Sequence, residues 1–498
     1  MSERRLTYSF GPLERRGILG AVTAGQAGVL AAGAMSSIVV LDQSPSATGA
    51  LVAIGLFAIA ACATFAPLGG RTVQEWAPVA AWFAVRRISR RARFRSSVAT
   101  AGTVTGGVGR RQAELRDPPP VAPAPVRDVR IIEAAYRERP IGALSERSGR
   151  RLTAVLACRV SAFSLLDHEA QERRLTRWGL VLSGAGRTAI RRLQWIERTA
   201  PAQGDELARW VHAERDPAVP LRGTPMIESY LELIGTSARV TQEHEILLAI
   251  QVDARRVRDR GADVVIRALV EETERVAQGL EAAEVTVLGA LSAGQLGRTL
   301  RTAFDPFARA ELATLEAADP DRDGLSEVNA WPLGAREAWD HYQGDGALHA
   351  TYWISAWPRI DVSPMFMDSL LGHSSAVRTV AVCFEPLAAD RSTREVEAAI
   401  TRDRADRELR ARFGQSETAR QRQAADATMR REAELAAGHG EVRLSGFITV
   451  SGRDGDDLRR ACTEVLEHAA RARLELHRLY GQQADAFTFT LPLCRGLR

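Results

Sequence analysis

The chain has 498 residues, of which 45% are hydrophobic and 26% are charged, and its formal net charge is +5. This length exceeds one ordinary hydrophobic core, so we expect two or three folded units joined by connections. The sequence contains no lysine. A Walker A nucleotide site and Schiff-base chemistry are therefore excluded, because both need a lysine amine.

Two uncharged apolar segments lie near the N-terminus, at residues 18–41 and 49–68. Each is close to or above the roughly 20 residues that cross a bilayer as a helix, so the pair predicts a transmembrane hairpin. A cleavable signal peptide is an alternative for the first segment, since Ala32-Gly33-Ala34 has the form of a cleavage site. Small residues also recur every four positions there, a stripe that favours close approach of another helix: Ala24, Gly28, Ala32 and Ser36.

Arginines flank this hairpin on both sides and are absent from its short connecting loop. Residues 1–100 hold 11 arginines and four acidic residues, a net charge of +7, which leaves −2 for the rest of the chain. Positively charged flanks stay inside, so we predict a cell-membrane protein with two spans and cytoplasmic termini. An amphipathic stretch then supplies membrane-interface residues: Trp76, Trp82, Arg86, Arg87, Arg90 and Arg91. These arginines need no nucleic acid to explain them, and direct nucleic-acid binding is not expected.

The predicted fold class is a membrane-anchored α/β protein, in which a transmembrane helical hairpin precedes a mixed αβ cytosolic region with a long charged helical arm. The anchor covers residues 1–95, with spans at about 18–41 and 49–68 and a basic interfacial segment at 72–95. A Pro/Gly-rich linker follows at 96–130, and a cytosolic αβ domain at 131–390. Residues 391–438 form the charged arm, and residues 439–498 complete the cytosolic domain.

Periodicity supports this division of the soluble region. Strand-like patterns occur at 151–160, 246–250, 351–360, 377–387 and 442–452, and alternation at Ala486–Thr490 predicts a last strand. The arm is predicted to open at Ser392, with Glu395 completing a capping box.

Catalytic and metal motifs are incomplete. His244-Glu245 begins like a zinc-protease helix, but Leu248 replaces the second histidine. Residues 319–324 begin like a calcium loop, but Ala330 stands where a glutamate is needed. The five cysteines are scattered and form no C-x-x-C motif. We therefore predict no enzyme activity, no catalytic residue, no cofactor and no metal.

Several segments resemble the non-nucleotide-binding half of the type IV secretion ATPase of the CagE/TrbE/VirB family: FSLLDHEAQERRLTRWGLVLSG, IRRLQWIERTAP, LRTAFDPF, YWISAWPRIDVSPMFMDSLL and REAELAAGHGEVRLSGFITVSG. The hairpin is similar to the PrgI family, which points to an actinobacterial protein of conjugative elements. The resemblance implies a non-catalytic inner-membrane scaffold, oligomeric in its assembly, that binds lipids, other secretion-channel subunits and a separate P-loop ATPase. The expected ATPase-docking residues lie in the C-terminal segment: Phe487, Phe489, Leu491, Pro492 and Leu493.

Two alternatives stay open. Residues 482–493 could instead complete the sheet of the domain itself. EccE of type VII secretion systems also pairs a two-helix anchor with a cytosolic domain. A membrane-tethered enzyme would need a convergent polar site, which the sequence does not show.

Overall fold

The structure is a computed structural model that describes residues 24–68, 71–89, 91–96, 122–136, 139–160, 163–201, 225–226, 228–229, 242–258, 261–309, 312, 330–358, 360–372, 374–412, 419–437 and 440–497. Most of the predicted linker lies outside these residues. The chain divides into a helical unit, within residues 11–91 and 397–429, and a sheet unit, within residues 92–396 and 430–498.

The helical unit contains two long apolar helices, α1 (Ala24–Gln43) and α2 (Ala47–Phe65), which pack on each other. Two short strands, β1 (Pro67–Leu68) and β2 (Arg71–Thr72), pair with each other and lead into α3 (Val73–Ile88). Two apolar helices thus lie where the hairpin was predicted, although residues 18–23 of the first predicted span lie outside the described residues.

The sheet unit is built on thirteen described strands. In chain order they are β3 (Arg93–Arg95), β4 (Arg130–Tyr136), β5 (Arg139–Glu146), β6 (Arg151–Arg159), β7 (Ile190–Pro201), β8 (Gln242–Asp253), β9 (Thr286–Ala290), β10 (Gly334–Glu337), β11 (Tyr342–Gln343), β12 (Leu348–Ala356), β13 (Val377–Pro386), β14 (Val442–Gly452) and β15 (Glu475–Arg478). The strand order is β3-β10-β11-β12-β14-β13-β7-β8-β6-β5-β4, with β15 on β12 and β9 on β6, and the pairs are antiparallel.

The remaining helices lie between or after these strands in the sequence. They are α4 (His168–Ala185), α5 (Ala262–Ala282), α6 (Ala293–Phe304), α7 (Asp368–Leu371), α8 (Ala389–Arg412), α9 (Ala419–Ala436), α10 (Gly455–Arg471) and α11 (Gln483–Phe487). Most of α8 and α9 belongs to the helical unit. The α/β prediction is thus confirmed in its coarse form, as two apolar helices followed by a mostly antiparallel sheet with helices.

Alternation along the central strands sends apolar side chains to both faces of the sheet. In β8, Leu248 and Ile250 belong to the core cluster beneath α4 and α5, whereas Leu247 and Ala249 belong to the cluster beneath α6 and the C-terminal residues. Helix α10 covers the neighbouring strands β12 and β14. A sheet buried on both faces explains why residues 246–250 form an unbroken apolar run.

The capping box predicted at Ser392 is wrong. Helix α8 already begins at Ala389, and the amide of Ser392 donates to the carbonyl of Ala388 at 3.0 Å, so Ser392 lies within the first turn. Glu395 binds the side chains of Arg391 and Arg443 instead of capping the helix.

Candidate functional site

The C-terminal segment, residues 483–497, forms α11 and a series of turns. The strand predicted at Ala486–Thr490 is therefore wrong. Thr488 and Thr490 are as deeply buried as Phe487, so the alternation of Phe and Thr does not separate a buried face from an exposed one. The hydroxyl of Thr488 donates to the Asp485 carbonyl at 2.7 Å, and that of Thr490 donates to the Phe487 carbonyl at 3.0 Å. Such local bonds satisfy buried hydroxyls within helical turns.

The predicted docking side chains pack within the sheet unit. The ring centroid of Phe487 lies 4.9 Å from that of Phe304. The half-buried Phe489 lies 4.8 Å from Phe447. The other three predicted docking residues are also buried: Leu491, Pro492 and Leu493. A partner could reach most of these side chains only if the segment moved away from the sheet.

Two buried glutamines on the sheet form hydrogen bonds with the C-terminal segment. The amide group of Gln194 donates to the Phe489 carbonyl and accepts from the Cys494 amide, both at 2.7 Å. Gln251 donates to the Leu493 carbonyl at 3.0 Å. The segment completes its own domain, as one of the two interpretations proposed, although as turns rather than as a strand. Binding of a partner to this segment remains a prediction.

The α1–α2 hairpin is the second candidate functional region. Gly25–Gln43 and Ala47–Phe65 are long and apolar enough to cross a membrane, with mean hydropathies of 1.3 and 2.1. The side chain of Ser46 caps α2 by accepting from the Gly49 amide at 3.1 Å. Large apolar side chains of both helices are exposed: Met35, Ile38, Leu51, Ile54 and Ile59. These features are consistent with a membrane location, where lipid would cover such side chains.

Helices α1 and α2 meet through small residues. A Cβ atom at Gly33 would lie 2.4 Å from the Cβ of Ala60, so only glycine permits this approach. The hydroxyl of Ser37 donates at 2.8 Å to the carbonyls of Gly33 and Ala53. The predicted stripe of small residues in α1 does not form this contact, because a Cβ atom at Gly28, one of its members, would meet no other atom within 4 Å.

The predicted interface residues follow the hairpin on or just after α3. Trp76 and Arg86 are half-buried, whereas Trp82, Arg87 and Arg91 are exposed. Arg90 lies outside the described residues. Helix α3 begins with the Thr72 amide donating to the Glu75 carboxylate at 3.0 Å. An exposed tryptophan with neighbouring arginines suits a water–lipid boundary.

Among the residues that the structure describes, no group of three or more His, Cys, Asp or Glu side chains could hold a metal ion. His244 lies on strand β8, not on a helix, with its Nδ1 atom 3.3 Å from Glu197 Oε1. Residues 319–324 lie outside the described residues.

Sequence reasoning missed a cluster of arginines at one end of the sheet. In the sequence, this cluster corresponds to three pairs of adjacent arginines. The pairs lie at the start of β6, at the start of β7 and just past the end of β8: Arg150-Arg151, Arg191-Arg192 and Arg255-Arg256. The strands are remote in sequence, and only their pairing brings these residues together.

Residues 240–354 match the family model described as EccE, a putative type VII ESX secretion system translocon. No curated protein matches the chain. The matched region runs from β8 through α5, β9, α6, β10 and β11 into β12. It covers much less than half of the chain and supports a secretion-system component.

The match overturns the predicted resemblance to a PrgI-type anchor fused to half of a type IV secretion ATPase. The conjugative, VirB-like interpretation is therefore wrong. The stretches that suggested it are single amphipathic helices and strands, such as α4, β7 and β14, which many αβ domains share. The chain is instead similar, over residues 240–354, to EccE, the alternative family named from the sequence.

Proposed function

We propose that the protein is a membrane-anchored, EccE-like structural component of a type VII secretion apparatus. The single observation that carries this proposal is the family match at residues 240–354. That segment supplies the central strand β8, strand β12, and helices from both faces of the sheet. The similarity therefore concerns the framework of the sheet unit rather than a peripheral extension.

In this proposal α1 and α2 span the cell membrane, and both termini and the sheet unit are cytoplasmic. Support comes from the exposed apolar side chains of the hairpin and from the arginines on both of its flanks. The partners are membrane lipids and other secretion-channel subunits, in an oligomeric assembly. The protein itself has no catalytic role, and a separate P-loop ATPase is a further expected partner.

The test is mass spectrometry of the proteins retained on the tagged full-length chain, extracted from its native membranes in mild detergent. The tag belongs at the N-terminus, because residues close to the C-terminus, such as Leu491 and Leu493, are buried. We expect enrichment of type VII membrane subunits over a tagged, unrelated two-span protein, and recovery of an ATPase among them would support that partner. Equal recovery with both baits would contradict the proposal.

A further inference from the structure

Strand register gathers arginines at one end of the sheet. Arg151 at the start of β6 lies opposite Asp253 at the end of β8. Arg192 on β7 lies opposite Gln251 on β8 and contacts Glu385 on β13. We define the sheet-end arginine cluster as five arginines, four from these strands and their ends and one, Arg147, from the turn between β5 and β6: Arg147, Arg151, Arg191, Arg192 and Arg256.

Nearby carboxylates neutralise only part of the positive charge of this cluster. Glu385 accepts two hydrogen bonds from Arg192, at 3.1 and 2.7 Å. Asp253 lies 3.7 Å from the Nε atom of Arg151, which is an ion pair without close contact. Among the described residues, Glu146 is also near, but Arg495 binds it. Positive charge at the cluster therefore exceeds negative charge.

The charges of neighbouring arginines act on two members of the cluster, Arg151 and Arg191. Burial, followed by the charges of Arg191 and Arg147, lowers the pKa of Arg151 to about 10. Burial and the charge of Arg192 lower the pKa of Arg191. Within a partly buried site such repulsion is screened less than at an open surface. An anion among these side chains would relieve it.

Arg191 supplies the most specific sign of a ligand. Its Nη1 atom is buried and has no hydrogen-bond partner among the described residues. Leaving a charged donor unsatisfied is unfavourable, and guanidinium groups bind phosphate oxygens in a bidentate manner. A tetrahedral phosphate can accept from several guanidinium groups at once.

The turn between β5 and β6 adds a second, geometric observation. Arg147, Ser148 and Gly149 all have positive φ, at 53°, 55° and 82°. Positive φ at consecutive residues is the conformation that a tight turn between paired antiparallel strands requires. This turn fixes the backbone of Arg147 next to Arg151.

We propose that the sheet-end arginine cluster binds a phosphate-bearing anion, either free phosphate or the headgroup of an anionic phospholipid. A nucleic acid fits less well, because the cluster is confined to one sheet end and the chain beyond residue 100 is net negative. The proposal does not depend on the secretion role.

The first experiment measures binding of inorganic phosphate to the full chain in a nonionic detergent by calorimetry, in chloride buffer of constant ionic strength. We expect Arg191→Gln and Arg151→Gln each to weaken binding about tenfold, the loss of one charge-assisted contact. Arg471→Gln, which removes an exposed arginine at the end of α10, should not change it. Without phosphate, Arg191→Gln should unfold at the same or a higher temperature than the wild type, because it relieves repulsion.

The second arm uses short-chain phosphatidylglycerol, with phosphatidylcholine as its control, in the same detergent. Phosphatidylglycerol is assigned as the source if it binds the wild type, if inorganic phosphate displaces it, and if Arg191→Gln weakens its binding. Binding of inorganic phosphate alone would assign a soluble source. If neither anion binds the wild type, or if both bind Arg191→Gln and Arg151→Gln unchanged, the proposal is wrong.

Discussion

Arg198 on β7 is a charged side chain inside the sheet unit, with 2% of its surface exposed. It donates to the Glu245 carboxylate at 3.2 Å, to the Thr302 hydroxyl at 3.0 Å and to the Thr299 carbonyl at 3.1 Å. Glu245 is 26% exposed and also has Arg309 at 4.0 Å, so its charge keeps a partner when Arg198 is removed. Because the substitution still removes three hydrogen bonds of a buried guanidinium, we predict that Arg198→Ala lowers the free energy of unfolding by about 1–3 kcal/mol. Urea unfolding monitored by tryptophan fluorescence measures this change.

The matched control for Arg198 is Arg173 on α4, which binds Glu169 at 3.0 Å on the surface. Exposed pairs of this kind contribute less than about 1 kcal/mol, so Arg173→Ala should be nearly neutral. Equal effects of the two substitutions would show that burial does not govern the pair at Arg198.

His349 on β12 is a fully buried histidine whose two ring nitrogens both have partners. Because the Phe304 carbonyl can only accept, Nε2 donates to it at 2.9 Å and Nδ1 accepts from the Ser451 hydroxyl at 2.9 Å. Burial lowers the pKa of His349 to about 4, against 6.5 for an ordinary histidine. Its environment therefore favours the neutral ring.

A lowered histidine pKa has a defined effect on stability. Between pH 6.5 and about 4 the unfolded chain binds a proton that the folded chain does not, so stability falls as pH falls. From pH 7 to pH 5 the loss from His349 alone is about 2 kcal/mol. We predict that His349→Gln loses less stability over this range than the wild type, measured by urea midpoints at both pH values. Parallel losses in the two proteins would contradict this assignment.

At the scale of elements, the C-terminal segment stabilises the sheet unit although it contributes no strand to it. Deleting residues 490–498 would expose the core at Leu491 and Leu493 and leave Gln251 without its carbonyl partner. Each buried leucine contributes about 2–5 kcal/mol, so we expect the truncated chain to lose cooperative unfolding or most of its stability. Circular dichroism during urea titration measures this.

A shorter truncation provides the control for that deletion. Removing residues 497–498 takes away the exposed Leu497 and leaves the buried leucines in place. Its unfolding should match that of the full chain. If deletion of residues 490–498 were equally harmless, the segment would be free to dock a partner, as first predicted from the sequence.

The sequence predicts those elements whose pattern reflects burial directly. The apolar run at 246–250 became β8 because both faces of the sheet are covered. The alternation at 486–490 failed because its threonines are buried through local hydrogen bonds. The doubled arginines do not by themselves place the sheet-end arginine cluster, since strand pairing alone brings Arg151 beside Asp253.

At the scale of the whole molecule, the placement of charge predicts how the chain lies in its membrane. Arginines occur before α1 and after α2, whereas the loop between them has none, so this loop should face outward. Ser44 lies in that loop and is exposed, and Glu467 is an exposed residue of α10 in the sheet unit. The two positions should therefore be on opposite sides of the membrane.

Cysteine labelling tests this topology, because four native cysteines are buried and the exposed fifth, Cys62, lies within the apolar helix α2. We expect a membrane-impermeant maleimide to label Ser44→Cys in intact cells and to label Glu467→Cys only after permeabilisation. The wild-type chain serves as the control for labelling of native thiols. Labelling of Glu467→Cys in intact cells would place the sheet unit outside the cytoplasm. An unlabelled Ser44→Cys, with Glu467→Cys reactive after permeabilisation, would show that the hairpin does not expose its loop and therefore does not cross the membrane as two spans.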